Sequence, residues 1–320
     1  MKRIIVTLLS VVMIAMSVMP AMAGTLADNV LEYDEIDGLI HTYNSSVKMN
    51  DYRLKKYNNY DDESLDDERT AKLSYDAAEM SLAKQAKSLM VSYYNTLLDA
   101  EQAQLNKELL QTNLQIAQTK SSIGMGTQLD VLSATESLLN ADKTITTAQS
   151  SLNEIAKTLQ VMCGWKYESV AELAPLPEPD VARIALMNPA NDLASAIANN
   201  YTLRGNQRRL NNASEDTAID TYTITTDTNR QNIETSLNVA YANVIAARDA
   251  FNYAEANRQI EESNLAQMNI KYSVGSASRV DLQTQNLTTR MAQIAAQKAK
   301  NNLLQAITNY DYEVKGLAGA

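Results

Sequence analysis

The clearest pattern of apolar and polar positions lies in the first half of the chain. Val131, Ala134, Leu138, Ala141, Ile145, Ala148, Leu152, Ile155, Leu159 and Met162 recur at alternating spacings of 3 and 4. That is a heptad seam, which predicts a long helix packed along another helix. Moved on by 151 residues, the seam becomes Leu282, Gln285, Thr289, Ala292, Ala296, Ala299, Leu303, Ala306 and Tyr310. The register survives, although Gln285 and Thr289 weaken it. Small Ala alternating with Leu or Ile allows close helix approach.

Punctuation frames these helices. After Pro20, every proline falls in one window: Pro175, Pro177, Pro179 and Pro189. Proline removes a helix hydrogen bond and disfavours the helical region at the residue before it. Residues 175–189 are therefore expected as an extended linker between two helical halves, 24–174 and 190–320. Gly124 and Gly126 interrupt the first half and Gly275 the second, while Gly164 and Gly316 stop the helices that follow. Each half reads as a helix, a sharp glycine-containing tip and a returning helix. An earlier break is expected in each half. One lies at Asn58-Asn59-Tyr60-Asp61-Asp62-Glu63-Ser64, with Asp66 or Asp67 as N-cap, and the other at the Thr-rich stretch Thr221–Thr228. A continuous helix over 66–122 would be roughly 85 Å long and calls for a coiled-coil partner.

The halves look duplicated. Gly124 and Asp130 fall on Gly275 and Asp281 at the 151-residue shift, so each tip reads Gly-x5-Asp followed by an apolar residue. Before the tips, Tyr94-Asn-Thr-Leu97-Leu98-Asp-Ala100 resembles Tyr241-Ala-Asn-Val244-Ile245-Ala-Ala247 at an offset of 147.

Composition agrees with an all-α reading. Nine Gly and five Pro in 320 residues are too few for the turns of a sandwich, barrel or doubly wound sheet. One Phe and one Trp leave little for a membrane-barrel girdle. One His and one Cys exclude His- or Cys-rich metal sites and an intrachain disulfide. The formal charge of −10 argues against nucleic acid. Lys2-Arg3, the apolar run Ile4 to Met19, Pro20 and Ala21-Met22-Ala23 form an export signal expected over residues 1–23, the alternative being an N-terminal anchor. No later stretch is apolar enough to cross a membrane as a helix.

No catalytic site, cofactor or metal site is expected. His41 reads as a structural or surface residue and Cys163 as a small packed one. Asp61-Asp62-Glu63 and Asp66-Asp67-Glu68 lack the spacing and glycine of a calcium loop.

Tyr272-Ser273-Val274-Gly275 followed by Val280-Asp281-Leu282 resembles the second-repeat tip of the TolC-like outer-membrane efflux family. Ser122-Ile123-Gly124 and Leu129-Asp130-Val131-Leu132-Ser133-Ala134 resemble its first-repeat tip. The resemblance covers most of residues 30–316. It implies duplicated helical hairpins that assemble as a homotrimer into a coiled-coil α-barrel, an exported duct of the cell envelope for efflux or secretion. The tips at Gly124, Gly126 and Gly275 would meet a periplasmic-type adaptor protein and its inner-membrane transporter. Tyr272 and Asp130 would form an entrance latch, and Asp281 part of an acidic constriction. Two departures stand out. The family's latch arginine is replaced by Ala277, with Arg279 as a substitute, and a second acidic position is Thr284.

The family also inserts two membrane β-strands per repeat. Residues 58–66 cannot hold two spans of 9–11 residues, and Thr221–Thr228 could form one short strand at most. Little or no β-barrel is therefore expected. Such a chain would serve an envelope without an ordinary outer membrane, or join another pore. The competing reading is a structural or adhesive coiled-coil envelope protein without transport.

Overall fold

The computed structural model describes residues 29–57 and 65–319. The export signal and the acidic turn at 58–64 lie outside them. The order of elements is β1 (Val30–Leu31), α1 (Ile36–Tyr43), α2 (Ser45–Tyr57), α3 (Leu65–Ser122), α4 (Gln128–Met162), β2 (Glu172–Leu173), α5 (Val181–Leu186), α6 (Pro189–Asn199), α7 (Tyr201–Asn212), α8 (Asp216–Ser273) and α9 (Arg279–Tyr312). A π-helical turn, Glu313–Leu317, follows α9.

Helices α3 and α8 each have 58 residues, or about 87 Å at 1.5 Å per residue. Each turns at its tip into a returning helix, α4 of 35 residues and α9 of 34. Packing runs α4 on α3, α3 on α9, and α9 on α8. Helices α4 and α8 are thus the two lateral edges of a four-helix layer. Every residue of both predicted seams is buried or half-buried, and Leu152, Leu159, Ala292, Ala296 and Leu303 are buried outright. The two polar seam residues find partners across the second hairpin. Gln285 Nε2 donates to Glu261 Oε2 at 2.8 Å, and Thr289 Oγ1 donates to the Glu261 carbonyl at 3.0 Å.

Two hydrophobic clusters form a collar around the middle of the long helices. One joins α1, α3 and the end of α4 through Ile36, Ile40, Met90, Leu159, Cys163 and Trp165. The other joins α6, α7, α8 and α9 through Ala196, Leu203, Ile233, Leu237, Leu303 and Tyr310. A polar clamp ties the halves together. Glu313 accepts from Lys84 Nζ at 2.7 Å and from Ser236 Oγ at 3.3 Å. Lys87 Nζ donates to Asp37 at 2.7 Å, and the Tyr312 hydroxyl donates to the same carboxylate. Burial raises the Asp37 pKa, but the bonds from Lys87 and Tyr312 outweigh it and hold the group below its ordinary value. Beyond the collar the hairpins project roughly 50 Å, from Met90 to Ser122 on α3.

The break expected at Thr221–Thr228 does not exist. Helix α8 runs through it unbroken. The reason is local: the hydroxyls of Thr221, Thr223 and Thr225 donate to carbonyls four residues back, at 2.7–2.8 Å. Threonine in this mode satisfies its side chain on the helix itself. The break lies earlier, in the three residues 213–215 between α7 and α8. The proline stretch is also only partly extended. It is extended to Asp180, which caps α5, and Pro189 opens α6, where its missing N–H costs nothing.

Neither described strand exceeds two residues, and β1 pairs with β2 in parallel. The three-residue α7–α8 connection has no room for two membrane-spanning strands. Among the described residues there is no closed barrel, and no helix is long and apolar enough to cross a membrane.

Candidate functional site at the hairpin tips

Both tips are the same turn, built by the same bonds. In the first, Gly124 N donates to the Ser121 carbonyl at 3.2 Å and Met125 N to the Lys120 carbonyl at 2.8 Å. In the second, Gly275 N donates to the Tyr272 carbonyl at 3.1 Å and Ser276 N to the Lys271 carbonyl at 2.8 Å. This pair of bonds is a Schellman closure, which needs a left-handed residue. Gly124 and Gly275 supply it, with φ of 73° and 76°.

Three residues later each returning helix opens on a capping box. Asp130 Oδ2 accepts from Thr127 N at 2.8 Å, and Asp130 N donates to Thr127 Oγ1 at 3.2 Å. Asp281 Oδ2 accepts from Ser278 N at 2.8 Å, and Asp281 N donates to Ser278 Oγ at 3.1 Å. The Thr127 N–H, then its hydroxyl, hold the Asp130 carboxyl below the usual range. The Ser278 hydroxyl and N–H do the same for Asp281. The Gly-x5-Asp pattern therefore has a local reason: glycine ends one helix and aspartate locks the start of the next. Thr127 and Ser278 complete the two tips, and their signature in the sequence is Gly-x2-Thr/Ser-x2-Asp.

Within the chain no hydrogen bond joins Asp130 to Tyr272. Tyr272 lies at the end of α8 and is 43 % exposed. Arg279 is exposed at the first position of α9, and Ala277 is half-buried just before it. Gly126 corresponds to Ala277 at the 151-residue shift, and a Cβ there would come within 3.0 Å of the Lys120 Cβ.

The tips expose apolar side chains around these polar locks. Ile123, Met125, Leu129 and Leu132 do so on the first hairpin, and Ile270 and Val274 on the second, all more than half exposed. Contiguous exposed apolar groups on a monomer mark interaction sites. Among the described residues there is no metal-ligand cluster. Cys163 is a core residue whose thiol is pushed up to about 12 by burial, and exposed His41 bonds Glu79 at 2.7 Å.

A second duplicated device went unread in the sequence. Asn44 caps α2 by accepting from Ser46 N and Val47 N, and its Nδ2 donates to the Met162 carbonyl at 2.8 Å. Asn200 caps α7 by accepting from Leu203 N, and its Nδ2 donates to the carbonyls of Gly316 and Ala318 at 3.2 and 2.6 Å. Each buried Asn thus splices a distal helix onto the end of a returning tip helix. Beside them, a Cβ on Gly164 would meet the Tyr43 Cβ at 2.2 Å, and one on Gly316 the Asn199 carbonyl at 2.6 Å.

No protein-family model matches the chain, and no curated protein matches it in sequence. Solved structures do match. The outer-membrane channel OprN aligns with a TM-score of 0.60 at 11 % identity, over 89 % of this chain and 90 % of that one. The Campylobacter jejuni CmeC outer membrane channel aligns at 0.58 and 12 %, over 89 % and 86 %. The outer membrane protein VceC of Vibrio cholerae aligns at 0.58 and 9 %, over 89 % and 96 %. The chain has the fold of these TolC-like helical channels.

Proposed function

We propose that this chain is an exported duct component of a tripartite-type efflux or secretion system. Three copies would close their lateral edges into an α-helical tunnel in the cell envelope. Residues 24–174 and 190–320 would be the two hairpin repeats, joined by 175–189 after loss of the signal at 1–23. The observation that carries the reading is the pair of matching tips, held about 50 Å from the collar on helices too long for a globular core. The shared fold with outer-membrane channels supports it.

In this reading the apolar tip residues around Gly124, Gly126 and Gly275 dock a periplasmic-type adaptor linked to an inner-membrane transporter. In the assembled trimer, Tyr272 would donate its hydroxyl to Asp130 of a neighbouring copy, since a carboxylate in a capping box retains free lone pairs. Arg279 would reinforce that latch. Asp281 from three copies would form an acidic constriction favouring cations.

Met125→Glu with Val274→Glu tests docking without touching the core, because both side chains are exposed. The double variant is expected to fold normally and to lose capture of an adaptor encoded beside it. Undiminished capture would contradict tip docking.

A further inference from the structure

On the far side of the collar the layer order becomes α2, α3, α7, α8. Its lateral edges are α2 and the first turns of α8. These edges carry opposite charge. On one side of α2, Lys48, Met49, Tyr52, Arg53 and Lys55 are all exposed, Tyr52 by 69 %, and exposed Asp51 beside Lys48 and Lys55 leaves the face net basic. On the other side of α2, Val47 enters the core. On α8, Asp216, Asp220, Ile224 and Asp227 fall at spacings of 4, 4 and 3, which is one exposed face, with Ile224 67 % exposed. Residues 215–227 contain no Lys or Arg.

Among the described residues, most of these charges make no ion pair within the chain. Among the described residues, Lys48, Arg53 and Lys55 make no ion pair; the two lysines lie over the rings of Tyr43 and Tyr52. Glu215, Asp216 and Asp220 make none either, and only Asp227 is paired, with Arg230 at 3.0 Å. The two faces also share a height. Glu313 bonds Lys84 of α3 and Ser236 of α8, which sets those helices level at the collar. From there both extend about 20 residues to the far end, and α2 lies beside that part of α3.

Direction fits as well. Helix α2 runs away from the collar and α3 towards it, α7 away and α8 towards it. Setting α8 of one copy against α2 of the next continues this alternation. On the tip side, α8 against α4 does the same.

We propose that the far end of the assembly is closed by a second copy of this chain, with the Lys48–Tyr52–Lys55 face of α2 seated on the Asp216–Asp220–Ile224 face of the neighbour's α8. This rests on the duct reading and adds a contact that would hold the end where the described residues contain no barrel strands. Charge sets partner and register, while Tyr52, Met49 and Ile224 supply the apolar centre.

The test exchanges charge in the full exported chain. One variant carries Lys48→Glu, Arg53→Glu and Lys55→Glu. A second carries Asp216→Lys and Asp220→Lys, and a third combines all five. Asp61-Asp62-Glu63 stays unchanged throughout, and circular dichroism checks helicity. In sedimentation runs, each separate variant is expected to raise the concentration for half-assembly at least about tenfold. The combined variant should return to within about threefold of the parent. Raising salt to about 0.5 M, where the Debye length is ~4 Å, should weaken the parent and leave each separate variant less affected.

A trimer indifferent to both exchanges and to salt would overturn this interface and leave the duct intact. A parent that stays monomeric at every concentration would overturn the duct and the interface together. If the basic-face variant assembles normally but loses binding to phosphatidylglycerol vesicles, the face serves an anionic surface and the proposal fails.

Discussion

At the scale of single residues, the strongest constraints are two asparagines and two glycines. Asn200 is 1 % exposed and serves as cap and carbonyl donor at once. Replacing it with Ala removes the cap and leaves buried carbonyls unpaired, for an expected loss of about 2–3 kcal/mol. Asn44→Ala should cost somewhat less, about 1–2 kcal/mol, because Asn44 is less buried and donates to one carbonyl. Urea unfolding followed at 222 nm measures both, and equal stability of parent and variants would contradict the splice. Glycine tolerance should differ by site. Gly124→Ala meets open space and bears only the left-handed penalty of about 1 kcal/mol, whereas Gly164→Ala also drives a Cβ into Tyr43 and should cost clearly more. Acid should act on Asp37, Asp130 and Asp281, whose pKa values are lowered by folding. Their stabilisation is complete above the unfolded Asp value of about 3.9 and fades as pH falls through the lower folded values. Amide protection near Asp130 and Asp281, relative to the intrinsic exchange rate at each pH, should therefore fall on acidification below about pH 4, and Asp130→Ala should show that lowered protection already at neutral pH.

At the scale of elements, the seam spacings, the long helices and both tips were legible because each is set by neighbours in sequence. Heptads report helix packing directly, and Gly124 and Gly275 interrupt that pattern. What could not be read was decided across the chain or by one side-chain bond. Thr221–Thr228 looks like a break by propensity, yet hydroxyl back-bonding lets α8 continue, so the chain turns at 213–215. Limited proteolysis is expected to spare 221–228; early cleavage there would contradict the continuous helix. Asn44 and Asn200 stand 156 positions apart while the tips stand 151 apart, so a single shift does not align them. The capping role of Asp130 and Asp281 was readable but hidden behind the functional one. The α3–α9 junction was not readable at all, since Glu101–Arg290 and Asp99–Lys298, at 2.5 and 2.6 Å, join partners 189 and 199 residues apart. Both pairs are partly exposed, so Arg290→Ala should lower stability by less than about 1 kcal/mol.

At the scale of the whole molecule, a four-helix layer with two open edges is an incomplete object. Its collar is packed, but α4 and α8 leave Leu129, Leu132, Leu139, Val239, Tyr253 and Ile260 exposed along the edges and tips. Burying such residues between copies releases apolar surface from water, at ~25 cal/mol per Å². The closed object that continues the antiparallel order is a ring, and in the proposed duct three copies would contribute twelve helices to it. In the proposed duct, the short α7–α8 connection leaves α2 and α8 to close the far end. The most direct measurement is electron microscopy of the purified exported protein, viewed down its long axis. The account predicts threefold end views with a central water-filled hole and side views longer than 80 Å, the span of one long helix. Solid, single-chain rods at every concentration would contradict it.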